Sequence, residues 1–204
     1  MRIQRAWVVV AAVLCLAGCQ GKGEVINLNL HAAPDKELPK VKGAEGLTVA
    51  VGAFEDLRSE QKRLGKRTHM GGGDTFFQVP GGNSADAVAK VVADYLSARG
   101  WRVVRGAGAS ADVTITGRIQ ELGVHAKSRF MGTDLTAKSK LSIQAKNASD
   151  SSTVNLSVFG NAEDTEVWFD LEDAQDIIND AINKSLDYLI ANTTVDGRTL
   201  KLVE

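Results

Sequence analysis

The sequence is short of the side chains from which most catalytic and cofactor sites are built. Only two of its 204 residues are cysteine and three are histidine. His31, His69 and His125 stand far apart, with no pair at ligand spacing and no H-E-x-x-H, so a zinc centre has nothing to build on. Aromatic residues make up 5% of the chain, which argues against a broad stacking platform. The 24 basic and 25 acidic side chains nearly cancel, so the chain lacks the electrostatic footprint of a nucleic-acid binder. Nor does any apolar run reach the ~20 residues that a membrane-crossing helix needs. The leading one, Ala6 to Leu16, has eleven residues. No cofactor is expected.

What is present begins with that run. Arg2 and Arg5 precede it, and the small residues Ala17 and Gly18 follow, so residues 1–18 read as a secretory signal peptide. The exit Leu16-Ala17-Gly18-Cys19-Gln20 resembles the bacterial lipobox. That resemblance implies cleavage before Cys19, diacylation of its thiol and acylation of the new amine, and so a membrane partner held through acyl chains. The chemistry explains the cysteine, since a thiol is the nucleophile that a lipid-transferring enzyme can convert to a stable thioether. Gln20 rather than aspartate after it resembles an outer-membrane sorting signal, which implies the periplasmic side of the outer membrane. Cys15 leaves with the signal, so the mature chain is expected to fold without an internal disulfide.

Residues 19–46 read as the lipidated cysteine and a flexible tether, because Pro34, Pro39, lysines and scattered glycines interrupt any hydrophobic period. Treated as coil, such a tether would hold the domain on the order of 30 Å from the lipid. Within it, Val25 to Leu30 alternates with period two and is a candidate edge strand. Residues 47–204 read as a single domain. Strands are expected at Leu47–Val51, Trp101–Val104, Asp112–Val124, Leu135–Lys146 and Val154–Val158, the fourth alternating wet and dry along its whole length. A helix opens at Ser84 and stops at Gly100, and a second follows the N-cap Asp170 with Asp173 three residues on. The order β-α-β-β-β-β-α predicts an α+β two-layer sandwich, a mainly antiparallel sheet of about five strands with both amphipathic helices on one face.

Residues 55–83 are then a loop of unusual length. Gly65–Met70 and Thr75–Val79 flank Gly71-Gly72-Gly73-Asp74, the pattern of a protruding hairpin with a basic first arm and Phe76-Phe77 on the second. Several motifs fail in context. Gly106 to Ala111 matches G-x-G-x-x-A, but a β-branched strand follows where a helix N-terminus must stand. The acids between Glu163 and Asp176 lack the order and central glycine of a calcium loop, and the dipole of the last helix explains them. Phe54-Glu55-Asp56-Leu57-Arg58 leaves the first strand with an acid and a base two apart, either a self-satisfied turn or a partner contact. Lys127, Arg129, Phe130 and Met131 sit at the tip between the two longest strands, a folded-back hairpin end or a membrane-touching one.

With the lipobox, the F-x-D-x-R strand exit, the helix ending at Gly100 and the closing amphipathic helix in order, the chain resembles the YajG-type bacterial lipoproteins. It also shares features with the auxiliary lipoproteins of ABC-type lipid transporters. The resemblance implies a location and a shape rather than chemistry. The expected function is a non-catalytic interaction module that presents the 55–83 loop to an envelope protein or complex, with Asp56, Arg58, Arg67, Phe76, Phe77 and Phe130 as partner contacts. The alternative is an auxiliary lipoprotein that moves or hands over lipid.

Overall fold

The structure, a computed structural model, describes residues 23–105 and 110–203. The signal segment, Cys19 and the Gly106–Ala109 part of the glycine-rich motif lie outside the described residues.

The strands are β1 (Val25–Asn27), β2 (Thr48–Asp56), β3 (Gly65–Thr68), β4 (Asp74–Gln78), β5 (Arg102–Arg105), β6 (Val113–Arg129), β7 (Gly132–Asn147), β8 (Thr153–Glu166), β9 (Thr193–Asp196) and β10 (Thr199–Leu202). Among the described residues the α-helices are α1 (Ser84–Ala98) and α2 (Leu171–Ala191). The expected five-stranded, mainly antiparallel sheet is therefore wrong. Eight strands form one mixed sheet, ordered β1-β4-β3-β6-β2-β5 with β7 and β8 added across β6, and β9-β10 form a separate hairpin. The pairs β2-β5, β2-β6, β3-β6 and β1-β4 are parallel.

β1, β3 and β4, expected only as a candidate edge strand and a protruding hairpin, join the main sheet for one physical reason. β3 is half-buried at every position and so has no alternation, while β1 has three residues and β4 five. Backbone pairing to neighbours far away in the chain carries them into the sheet, which such short patterns do not specify. The 55–83 loop is thus half sheet: β3 and β4 pair antiparallel as the hairpin expected there, but β3 also pairs with β6, so the hairpin extends the sheet.

Both helices were legible. Asn83 caps α1 by accepting from the Asp86 amide, and Asp170 and Asp173 form a reciprocal capping box on α2. α1 packs on β2 and β5, α2 on β7 and β8. Their apolar stripes meet the dry face of the sheet, including Ile115, Ile119, Leu135 and Leu141, and leave the other face bare.

The segment read as tether is bound to the domain from residue 23 onward. β1 pairs with β4, Leu28 is fully buried, and the chain then runs extended along α2. Gln175, Asn179 and Asn183 recur every fourth residue on α2 and accept from the amides of Asn29, His31 and Ala33, at 3.0, 2.9 and 2.7 Å. Asn179 and Asn183 also donate to the carbonyls of Asn29 and His31. The register works because four helical residues rise ~6.0 Å and two extended residues ~6.6 Å. Arg99 of α1 then donates to the carbonyls of Asp35, Leu38 and Pro39. Replacing Asn179 and Asn183 together by alanine strands two amides and two carbonyls, so we expect a loss of about 2–4 kcal/mol. Hydrogen exchange should accelerate at residues 29–35 well before it does in β6.

Asp112 joins three segments at the start of β6. Its carboxylate accepts from the Thr48 amide at 2.9 Å and from Arg198 Nε at 2.7 Å, which ties the β9-β10 hairpin to the sheet. The Thr48 amide and then Arg198 hold this carboxyl below the usual carboxylate range, against the opposing effect of burial. A carboxyl depressed by folding adds stability above its unfolded pKa, and that stability is lost as pH falls through the folded one. Asp112→Asn should therefore lower the urea midpoint near neutrality and flatten its decline below about pH 4.

Candidate functional site

The long strand β6 has β7 along one edge, while its other edge is shared: β2 pairs as far as Ile119 and β3 begins at Val124. Between them the sheet forks, and the backbone of residues 120–123 has no strand partner on that side. Arg58 fills the fork. Its guanidinium donates to Leu122 O at 2.7 Å, to Arg63 O at 2.9 Å, to Gln61 O at 3.2 Å, to Ser84 Oγ at 2.9 Å and to the Asp56 carboxylate at 2.6 Å. Asp56 and Arg58, expected as partner contacts, are thus spent on each other and on the fold, with side chains 9% and 8% exposed. The self-satisfied turn is what forms.

Phe77 was expected as an exposed partner contact but is fully buried in the core. β4 alternates, so one ring of the Phe76-Phe77 pair faces in and the other out. Phe76 is half-buried on the outer face with the Arg63 guanidinium 3.6 Å from its ring centroid. Arg67 lies 4.0 Å from the ring of Phe169 and donates to Ser128 Oγ at 3.0 Å. Partial burial lowers its pKa. Phe130 is 88% exposed at the β6-β7 turn. The six expected contacts therefore do not form one surface.

What the fold brings together instead is a groove of about 580 Å³ beside the fork, on the face the helices leave bare. Arg63 and Lys66 come from the first arm of the former loop, Phe76 from β4, His125 from β6, and Thr136 and Lys138 from β7. Lys66 is paired with Asp74 at 2.8 Å, and this contact, with one from Thr68, depresses the Asp74 carboxyl. Glu60 and Glu121 also line it, so its walls are basic with an acidic minority. Sequence reasoning missed Lys138 and His125; the only signal was their place on wet positions of alternating strands.

A smaller cavity of about 230 Å³ at the start of α2 is lined by Glu163, Asp164, Glu166, Asp173, Asp176 and Asp180. Asp173, then burial, Asp164 and Asp170 push the Glu166 carboxyl above its usual range. Among the described residues no group of three or more His, Cys, Asp or Glu side chains is arranged to hold a metal ion. Nor is any helix there long and apolar enough to cross a membrane.

Comparison with known proteins bears on this geometry. A family model described as "Uncharacterized lipoprotein" matches residues 36–197. No curated protein matches the chain significantly. A Xanthomonas campestris protein of the family DUF330 has a crystal structure similar over 82% of this chain and 93% of its own, at 12% identity and a TM-score of 0.53. A PelC dodecamer subunit from Paraburkholderia phytofirmans is similar over 74% of this chain and 91% of its own, at 16% identity and a TM-score of 0.41. A Neisseria meningitidis lipoprotein is similar over 72% and 99%, at 10% identity and a TM-score of 0.33. The first likeness is one of fold.

Proposed function

We propose, since this chain belongs to a family of uncharacterised lipoproteins, that it is anchored through Cys19 to the periplasmic side of the outer membrane and that its domain is a non-catalytic interaction module. The groove beside the fork carries the proposal. Arg63 lies over a half-buried ring, Phe76, on an open sheet face, with Lys66 and Lys138 beside it in exposed, exchangeable pairs with Asp74 and Glu121. Such a surface suits an extended acidic segment of an envelope protein: the cations meet carboxylates, and the ring packs on an apolar side chain between them. Exposed cations of this kind govern encounter rate and salt dependence more than dissociation.

A photo-crosslinking residue placed at Gln120 or Thr136, which line the same groove, in living cells tests this. Capture of one envelope protein is expected, with capture lost in Arg63→Glu/Lys138→Glu while circular dichroism stays unchanged. Absence of any crosslink from both positions would remove the groove as the contact. Co-purification of phospholipid together with a permease would favour the lipid-transport alternative.

A further inference from the structure

We propose that the end of the sheet bearing the Phe130-Met131 turn and the Val167-Trp168 connection sits in the headgroup region of the membrane that holds the acyl anchor. This rests on the Cys19 anchoring proposed above. Phe130, Met131, Val167 and Trp168 are 88, 81, 69 and 88% exposed. Register places them together: Arg129 pairs with Gly132 across the turn, and Thr133 pairs with Glu166 at the last step of β8 before Val167. Met70, also exposed, tops the β3-β4 turn at the same end, because Thr68 pairs with Lys127. Large apolar side chains on convex turns bury little against a flat protein surface, whereas aromatic rings are enriched where headgroups meet hydrocarbon.

The chain enters at this end too. Gly23 donates its amide to Asp74 O at 3.0 Å, and Asp74 pairs with Thr68. Cys19 stands four residues earlier in the sequence, at most ~14 Å of extended chain. The headgroup layer on each side of a bilayer is only ~5–8 Å thick. The two tips lie on β6, β7 and β8, three to five strand spacings from β1, about 14–24 Å across the same end of the sheet. A domain bound to its own N-terminal segment from residue 23 cannot swing away on the ~30 Å tether that composition suggested. The contact is mainly apolar: Arg129 is paired with Asp134, and the charge of Lys127 at the same tip is outweighed by Asp170 and Glu172 on the α2 cap. Zwitterionic lipid should therefore suffice, and salt should have little effect.

The mature chain has two tryptophans, Trp101 and Trp168. Trp101 is buried and its Nε1 has no hydrogen-bond partner among the described residues, so Trp101→Phe removes no hydrogen bond there and leaves Trp168 as the reporter. The full lipidated Trp101→Phe chain is reconstituted in phosphatidylcholine vesicles with or without bromine on the acyl chains, and its intact mass is measured. With the acyl mass present, Trp168 emission should shift to the blue and fall at least ~2-fold in brominated vesicles, in raised salt as well. An acylated chain whose Trp168 emits as in water overturns the seating and leaves the anchoring intact. A blue-shifted, unquenched Trp168 also overturns it, since a second copy or another protein then covers the tip. A mature chain without acyl mass overturns the anchoring, and the seating with it.

Discussion

Replacing Gly160 with alanine is expected to lower stability by more than about 3 kcal/mol, a fall in Tm on the order of 10 °C for a chain of this size. Gly160 lies mid-strand in β8, opposite Ser139 of β7, where α2 crosses the sheet. A Cβ there would stand 2.0 Å from Ala181 O and 2.8 Å from Ser185 N, both backbone atoms of α2. No rotamer relieves a clash with helix backbone, so the helix must lift. Lifting it breaks the buried hydrogen bond between Ser139 Oγ and Ser185 Oγ, 2.9 Å. It also opens the contacts of Ile178, Ile182 and Leu186, all fully buried. Asn161→Ala, at the next and exposed position of the same strand, should change stability by no more than ~0.5 kcal/mol. Urea unfolding of the two variants beside the parent measures the difference; an unaffected Gly160→Ala would mean that α2 is not seated on β8 as described.

Arg58→Met is expected to be about as damaging, at about 3–5 kcal/mol, because it leaves the Asp56 carboxylate buried without its cation. The loss goes beyond the ion pair: the carbonyls of Gln61, Arg63 and Leu122 and the hydroxyl of Ser84 lose a donor together. Arg58→Lys should recover only part, since one ammonium cannot reach partners placed around a planar fork of donors. Asp56→Asn/Arg58→Met, which removes the charge left behind, should be more stable than Arg58→Met alone. Because the lost donors hold residues 57–64, proteolysis is expected to move to that segment in the single variant. The opposite order of stability for the double and single variants would show that the pair is not buried as a unit.

The Phe76-Phe77 pair illustrates how a local pattern misleads about a site. Adjacent rings in a glycine-flanked segment look like one exposed patch, yet a strand sends neighbouring side chains to opposite faces, and pairing to β3 makes that segment a strand. Asp56 and Arg58 illustrate the converse. Their spacing of two already permits a carboxylate-guanidinium contact, and it forms at 2.6 Å. What the spacing does not contain is the gap in β6 that draws the guanidinium inward. The ladder on α2 was written in the sequence as Gln175, Asn179 and Asn183 at intervals of four along an amphipathic helix. Its meaning depended on knowing that an extended chain lies there.

The residue order by itself determined the two helices with their caps and the course of the long strands β6 and β7. In each of these the hydrophobic period, 3.6 or 2, runs long enough to specify one face, and the capping residues act within three positions of one another. Only the tertiary structure decided that residues 23–39 are bound to the domain, that β3 and β4 extend the sheet, and that the sheet forks around Arg58. It alone placed the basic groove on the bare face, and the exposed tips at the end where the chain enters. Those features arise from backbone pairing and close approach between segments up to 152 residues apart. Strands of three to five residues carry too short a period to specify a partner, and a backbone amide is the same in every residue except proline, so the sequence does not show which one it will meet.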